Sequence, residues 1–312
     1  MIGHQKQLNL LNNAVLAKKL SHAYLFCGPN RVGKKIAAME WISRLFKSEI
    51  REGQAHPDFV FVKADEKTNN IKIEQIRDLI WKLSLKPAAA PLKAAVIDGS
   101  HLMTADSQNC LLKTLEEPGG RTLIILIAQN QRLLLPTIVS RCETVKFNFV
   151  PDSEISDFLK KEYSSKSGIA DIDEITRLSF GRPGRAVGFI SDPAEFDNWK
   201  NEIQHLACAV SGGMGERFKY VKNISEQKNI EEILEIWSFY FRSLMLQELK
   251  PNKALKPAAE APKTFQFSRP AASQSRLAKI VGTLKKIQEL DYILSATNVN
   301  EKLALESLML EI

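Results

Sequence analysis

Apolar residues recur along this chain with two different periods, and the change between them divides it. Residues 8–20 carry apolar positions at helical spacing. Four short runs, residues 23–27, 59–62, 94–97 and 123–128, are instead almost continuously apolar. Strands of that kind are buried on both faces, as in a parallel sheet. Helical patterns at 34–46, 73–85 and 106–117 lie between them, so the first part of the chain predicts an α/β domain with a parallel sheet. After Val150 and Pro151 the strand pattern stops. Short helices are expected at 153–163 and 171–180, with another start after Gly184, and long amphipathic helices at 230–249 and 274–290. Between the long helices, residues 250–273 are rich in Pro, Ala and Lys and include Pro251, Pro257, Pro262 and Pro270, which reads as a surface loop or linker. The expected domains are therefore 1–147 (α/β), 148–192 (small, helical) and 193–312 (all-helical).

Composition adds limits. A chain of 312 residues exceeds what one core usually holds, and 44% hydrophobic with 25% charged residues is ordinary for a globular protein. The formal charge of +7 is compatible with phosphate-bearing partners and equally with a mildly basic surface. Cys27, Cys110, Cys142 and Cys208 are widely spaced with no C-x-x-C pair, so reduced thiols in a cytosolic protein are expected rather than disulfides or zinc. The longest apolar run, 123–128, is too short to span a membrane, and no signal segment is read at the N-terminus.

The first candidate site is the loop Gly28, Pro29, Asn30, Arg31, Val32, Gly33, Lys34, which follows a predicted strand and opens a predicted helix. That is the setting in which G-x-x-x-x-G-K is a P-loop: backbone N–H groups and the helix N-terminus receive phosphate, and the lysine reaches the β/γ-phosphates. The next position should be a Ser or Thr hydroxyl for magnesium, and here it is Lys35. An ammonium cannot ligate a cation. A second motif, Ala94-Ala-Val-Ile-Asp98, has the form of a Walker B strand. Gly99 follows it, where a water-orienting glutamate would be needed for hydrolysis, and glycine does no general-base work.

These motifs sit among others that resemble the AAA+ clamp-loader family of bacterial DNA polymerase III. Ile2-Gly-His-Gln5, Ser21-His-Ala-Tyr-Leu-Phe26, Asn109-Cys-Leu-Leu-Lys-Thr-Leu-Glu-Glu-Pro118, Leu133-Leu-Leu-Pro-Thr-Ile-Val-Ser-Arg-Cys142 and Asn298-Val-Asn-Glu-Lys-Leu-Ala-Leu-Glu306 carry the resemblance over nearly the whole chain. It implies an AAA+ (RecA-like) P-loop domain, a helical lid and an all-α collar that oligomerises. Within the group the resemblance is to the delta-prime subunits. Lys35 and Gly99 break the two ATPase motifs, and Gly181-Arg-Pro-Gly184 has glycine where motor subunits carry a lid arginine, with Arg185 adjacent. Ser140-Arg141-Cys142 is intact. In this family that arginine is a finger aimed at a neighbour's ATP, a role the resemblance gives to Arg141. Asp98 would be a Walker B remnant, and Asn130 falls at the sensor position beside Gln129.

The function so implied is a structural subunit without ATPase activity of its own, any polymerase activity belonging to the holoenzyme. Its partners would be motor and delta subunits in a hetero-pentamer, and through them the sliding clamp and primed DNA, in the cytoplasm at the nucleoid. No cofactor is required; ATP or ADP would bind without a well-formed magnesium site. Residues 46–56 stand where relatives carry a four-cysteine module, so no zinc is expected, and His56 reads as a loop residue. Two other readings stay open: an active motor subunit of the same loader, or a stand-alone AAA+ DNA-repair protein. His22, His56 and His101 are scattered, the Glu116/Glu117 pair reads as a solvated helix end, and 250–263 lacks the aromatics of a single-strand groove.

Overall fold

The computed structural model describes residues 1–163, 171–227, 230–249, 273–296 and 300–312. They divide into two compact units, Met1–Gly188 and Phe189–Ile312.

The first unit is built on a parallel sheet of β1 (Ala23–Cys27), β2 (Phe59–Val62), β3 (Lys93–Asp98), β4 (Thr122–Ala128) and β5 (Glu143–Lys146), in the order β2-β3-β4-β1-β5. α1 (Gln5–Leu16), α2 (Lys34–Phe46), α3 (Ile73–Ser84), α4 (Ala105–Glu116) and the short α5 (Pro136–Val139) accompany it. The continuous apolar runs hide a strict alternation. Tyr24 and Phe26 of β1 and Ile125 of β4 pack with Trp41 of α2 on one face. Ala23 and Leu25 with Ile124 and Leu126 face Ile76, Leu79, Leu111 and Leu115 of α3 and α4 on the other. Every β4 residue is buried, as a central parallel strand between helical layers requires. Tyr24 meets Trp41 edge-on at 5.1 Å.

The sequence reading differs from the structure in places. The first helix begins at Gln5 and stops at Leu16, because Lys18 takes φ 55° and Lys19 N–H closes back on the Ala14 carbonyl. β5 is absent from the expected strands. It is an edge strand with exposed Glu143 and Lys146 and only Val145 buried, so it lacks an apolar run. After β5 come α6 (Asp152–Tyr163), α7 (Ile172–Ser179) and α8 (Pro183–Ser191).

The second unit holds α9 (Pro193–Ser211), α10 (Met214–Gln227), α11 (Ile230–Leu249), α12 (Ser273–Ala296) and α13 (Glu301–Glu311). Asp192 caps α9 by accepting the Ala194 and Glu195 N–H groups, with Pro193 at its first position. The fully buried Trp237 donates its indole N–H to the Tyr220 hydroxyl at 3.3 Å. Arg217 ties helix ends together, donating to the carbonyls of Val210 at 3.1 Å and Met309 at 3.4 Å. The expected loop at 250–273 lies, apart from Ser273, outside the described residues. Among the described residues no helix is long and apolar enough to cross a membrane.

Candidate functional site

In a parallel α/β sheet, ligands meet the loops at the carboxyl ends of the strands, and β1 delivers the P-loop there. Gly28 donates its N–H to the Ala128 carbonyl at 3.3 Å, and a Cβ on it would stand 2.0 Å from the Phe147 carbonyl oxygen. Only glycine fits. Pro29 and Asn30 are half-buried and Arg31 is exposed with φ 60°. Val32 is buried, and its carbonyl is 3.0 Å from His4 Nε2. α2 then opens on Gly33 with no side-chain cap, which leaves first-turn amides facing the loop.

Lys34 does not point out of the loop. It is 6% exposed, and its ammonium donates back to the carbonyls of Gly28 and, at 2.6 Å, of Pro29. Burial lowers its pKa to about 8; Arg182 pushes the same way, while Cys27 and Asp98 oppose. Lys35 lies in a carboxylate clasp. Its Nζ is 2.9 Å from Glu52 Oε2 and 3.6 Å from Asp98 Oδ2, and Lys63 reaches the other Glu52 oxygen at 3.7 Å. Partial burial opposes the charge on Lys35, but hydrogen bonding to Glu52 and the field of Asp98 lift its pKa above the usual value. The same contact lowers the Glu52 pKa. The ammonium already neutralises the carboxylate that would coordinate magnesium, and it would repel a dication. The residues here do not fit that ion. Gly99 beside Asp98 has φ 70° and offers no side chain. Among the described residues no group of His, Cys, Asp or Glu is arranged to hold a metal.

The segment expected to form the lid packs directly on this loop. Gly184 N–H donates to the Arg31 carbonyl at 2.8 Å, and a Cβ at 184 would be 2.9 Å from that oxygen. Arg182 lies over the Phe149 ring at 5.4 Å, and Arg185 is 2% exposed. Asn130 is exposed and caps the turn Gln131–Leu133 by accepting the Arg132 N–H at 3.0 Å. His101 lies close enough to feel the charge of Lys34; burial first, then that charge, lowers its pKa to about 4, so it is neutral.

Arg141 is elsewhere. It precedes β5, so it sits at the amino-end edge of the sheet, opposite the P-loop. Its Nη1 donates to the Thr137 carbonyl at 2.9 Å and its Nη2 to Glu116 Oε1 at 2.5 Å. α4 joins the two ends. It starts just beyond Asp98, capped by Thr104, and runs about 18 Å to Glu116. At its far end His22 Nε2 is 2.8 Å from the Leu115 carbonyl.

Thus the structure brings together the P-loop, Lys35, Asp98 and the Gly181–Gly184 turn, and it sets Arg141 apart. Sequence reading misses Glu52 and the pairing of Glu116. Glu52 sits in the segment judged only by its lack of cysteines, and Glu116 finds a partner 25 residues away with no local spacing signal.

Residues 3–151 match the family described as DNA polymerase III, delta subunit. The DNA polymerase III subunit delta' of Bacillus subtilis (strain 168) is 35% identical over 166 residues, which are 49% of this chain and 50% of that protein. Over these residues the chain is similar to subunits of DNA polymerase III. Tau and delta' subunits are both similar to it. Subunit tau of B. subtilis is 25% identical over 293 residues, 81% of this chain and 50% of tau. Subunit delta' of Escherichia coli (strain K12) is 24% identical over 267 residues, 85% of this chain and 76% of that protein. The chain spans about half the length of the first relatives it matches.

Proposed function

We propose that this chain is a delta-prime subunit: a non-hydrolysing member of a DNA polymerase III clamp loader that lends Arg141 to a motor subunit's ATP. The observation that carries the reading is Lys35, whose ammonium lies between Glu52 and Asp98 where a working site needs a hydroxyl and magnesium. Gly99 removes the base, and Gly184 seats α8 against the P-loop carbonyl of Arg31. Nucleotide, if it enters, binds without magnesium. Arg141 supports the other half of the reading. It lies at the sheet end opposite the loop, so subunits stacked head to tail would bring such an arginine against the next subunit's P-loop. Heterologous contacts of that kind build rings. Motor and delta subunits are then the direct partners in a hetero-pentamer in the cytoplasm, with the sliding clamp and primed DNA reached through it.

The long alignment with tau favours a second reading, an active motor subunit. The Lys35 clasp and Gly99 weigh against it. Two assays decide. Robust turnover by the isolated chain that vanishes in Lys34→Ala would establish the motor reading. Arg141→Ala in the assembled loader should abolish most of the turnover at the adjoining site, since fingers contribute about 10³–10⁵ in rate in GTPases, while assembly survives. An unchanged rate would refute the finger.

A further inference from the structure

Glu116 is the residue this structure adds to the finger. Resting on the finger reading above, we infer that Glu116 is a positioning residue that presets the Arg141 guanidinium for a neighbour's phosphoryl group. A guanidinium has five N–H donors in a rigid planar fork. Two of them are engaged: Nη1 on the Thr137 carbonyl at 2.9 Å and Nη2 on Glu116 Oε1 at 2.5 Å. Holding the fork at both terminal nitrogens fixes its plane and still leaves three N–H groups for an incoming anion. The side chain is 33% exposed, enough to meet one.

The seat is stiff as well as complementary. Glu116 ends α4, and α4 is pinned along its length. Gln108 accepts the Leu135 N–H at 2.9 Å and donates to the Met103 carbonyl at 3.2 Å. Ser107 donates to the Ile71 carbonyl at 2.9 Å. His22 contacts the Leu115 carbonyl one residue before Glu116. Leu135 immediately precedes α5, which supplies the Thr137 carbonyl. The two supports of the guanidinium are therefore linked through α4 and Gln108. An exposed arginine on its own would sample many rotamers, and ordering it during the reaction would cost entropy. Here the ordering precedes the encounter, which is how a positioning group raises rate.

The test uses the assembled loader and reads ATP turnover. Glu116→Ala should lower it about tenfold at the adjoining site, in keeping with the sensitivity of such groups to small misplacement. Glu116→Gln retains an acceptor for Nη2 and should restore turnover to within about twofold, which a purely charge-based role would not allow. The double variant Glu116→Ala/Arg141→Ala should match Arg141→Ala alone. In the isolated chain, Glu116→Ala should also broaden the Arg141 Nε–H resonance in NMR spectra, a measurement that does not require assembly. Turnover unchanged or raised in Glu116→Ala, with Arg141→Ala still deficient, overturns the positioning role and leaves the finger standing. Turnover unchanged in Arg141→Ala removes both. A sharp, unaltered Nε–H resonance in Glu116→Ala also overturns the proposal.

Discussion

Asp58 is fully buried, and its replacement by asparagine changes two oxygen acceptors into one. Oδ1 accepts the Ala88 N–H at 2.8 Å and faces Lys93 Nζ at 3.1 Å; Oδ2 accepts the Ala89 and Ala90 N–H groups, both at 2.7 Å. Lys93 is itself buried and also donates to the Pro57 carbonyl at 2.7 Å. Whichever way the amide introduced by Asp58→Asn turns, its NH₂ meets two donors: either Ala89 and Ala90, or Ala88 and the Lys93 ammonium. The variant therefore loses charge-assisted bonds worth about 1.5–3 kcal/mol each and leaves a buried ammonium without its counter-charge. Removing one partner of a buried pair costs about 3–5 kcal/mol, and we expect that range here. It is a large share of a total stability of about 5–15 kcal/mol.

Urea unfolding followed by far-UV circular dichroism measures it, with hydrogen exchange at the β2 and β3 amides locating the loss in the first unit. With an m-value of about 2.5 kcal/mol/M, the midpoint of Asp58→Asn should fall by about 1–2 M at pH 7. The pH dependence gives a second handle. Burial alone would raise the Asp58 pKa, but the three N–H donors and Lys93 hold the carboxyl well below the usual carboxylate range. A lowered folded-state pKa stabilises fully above the unfolded value, about 3.9, and the contribution declines as pH falls below it. The gap between wild type and variant should therefore narrow below about pH 4. A midpoint at pH 7 within about 0.3 M of wild type, or a gap that stays constant in acid, would refute the reasoning.

Two further outcomes bear on the P-loop. Lys35→Thr removes a like charge near the magnesium position; at about 4 Å in a water-like dielectric this relieves about 2 kcal/mol of repulsion on a dication, so added magnesium should tighten nucleotide binding about 30-fold more than in wild type. Titration calorimetry with and without magnesium checks this, and equal magnesium effects in both proteins would contradict the Lys35 reading. Gly184→Ala places a methyl group 2.9 Å from the Arg31 carbonyl, and overpacking of that kind costs about 1–3 kcal/mol. The Gly184 amide should then exchange faster with solvent, and unchanged protection would show that α8 does not depend on the close approach.

Much of this is legible in the sequence because it follows from local patterning. The strands β1 to β4 are apolar runs between turn residues, and the P-loop lies between one of them and a helix. β5 escapes because an edge strand with one buried residue carries no run to read. Asp58, Glu52 and Glu116 escape for another reason. Each is a charged residue whose meaning depends on a partner fixed by tertiary structure: the Ala88 to Ala90 amides about thirty residues away, the ammonium of Lys35, the guanidinium of Arg141. Spacing along the chain says nothing about such pairs. Lys35 and Gly99 are recognisable as departures from a motif, but the clasp that Glu52 closes around Lys35 is not.

That clasp changes what the departures mean. A P-loop stripped of its magnesium hydroxyl would be expected to carry an excess of positive charge seeking an anion. Here the charges are satisfied from within. Lys34 gives its protons to the carbonyls of its own loop, Lys35 pairs with Glu52 and Asp98, and Val32 and Lys34 are buried parts of the fold. The loop can stand as architecture without phosphate. At the opposite end of the sheet the balance differs. Arg141 is held by one carbonyl and one carboxylate, is partly exposed, and keeps donors beyond those its seat engages. Both ends thus pair their cations with carboxylates, but the P-loop lysine Lys34 is buried on its own loop, whereas Arg141 stays partly exposed with donors to spare. If the proposed finger role holds, the phosphoryl group that Arg141 meets belongs to another molecule, and the Arg141→Ala assay on the assembled loader tests this.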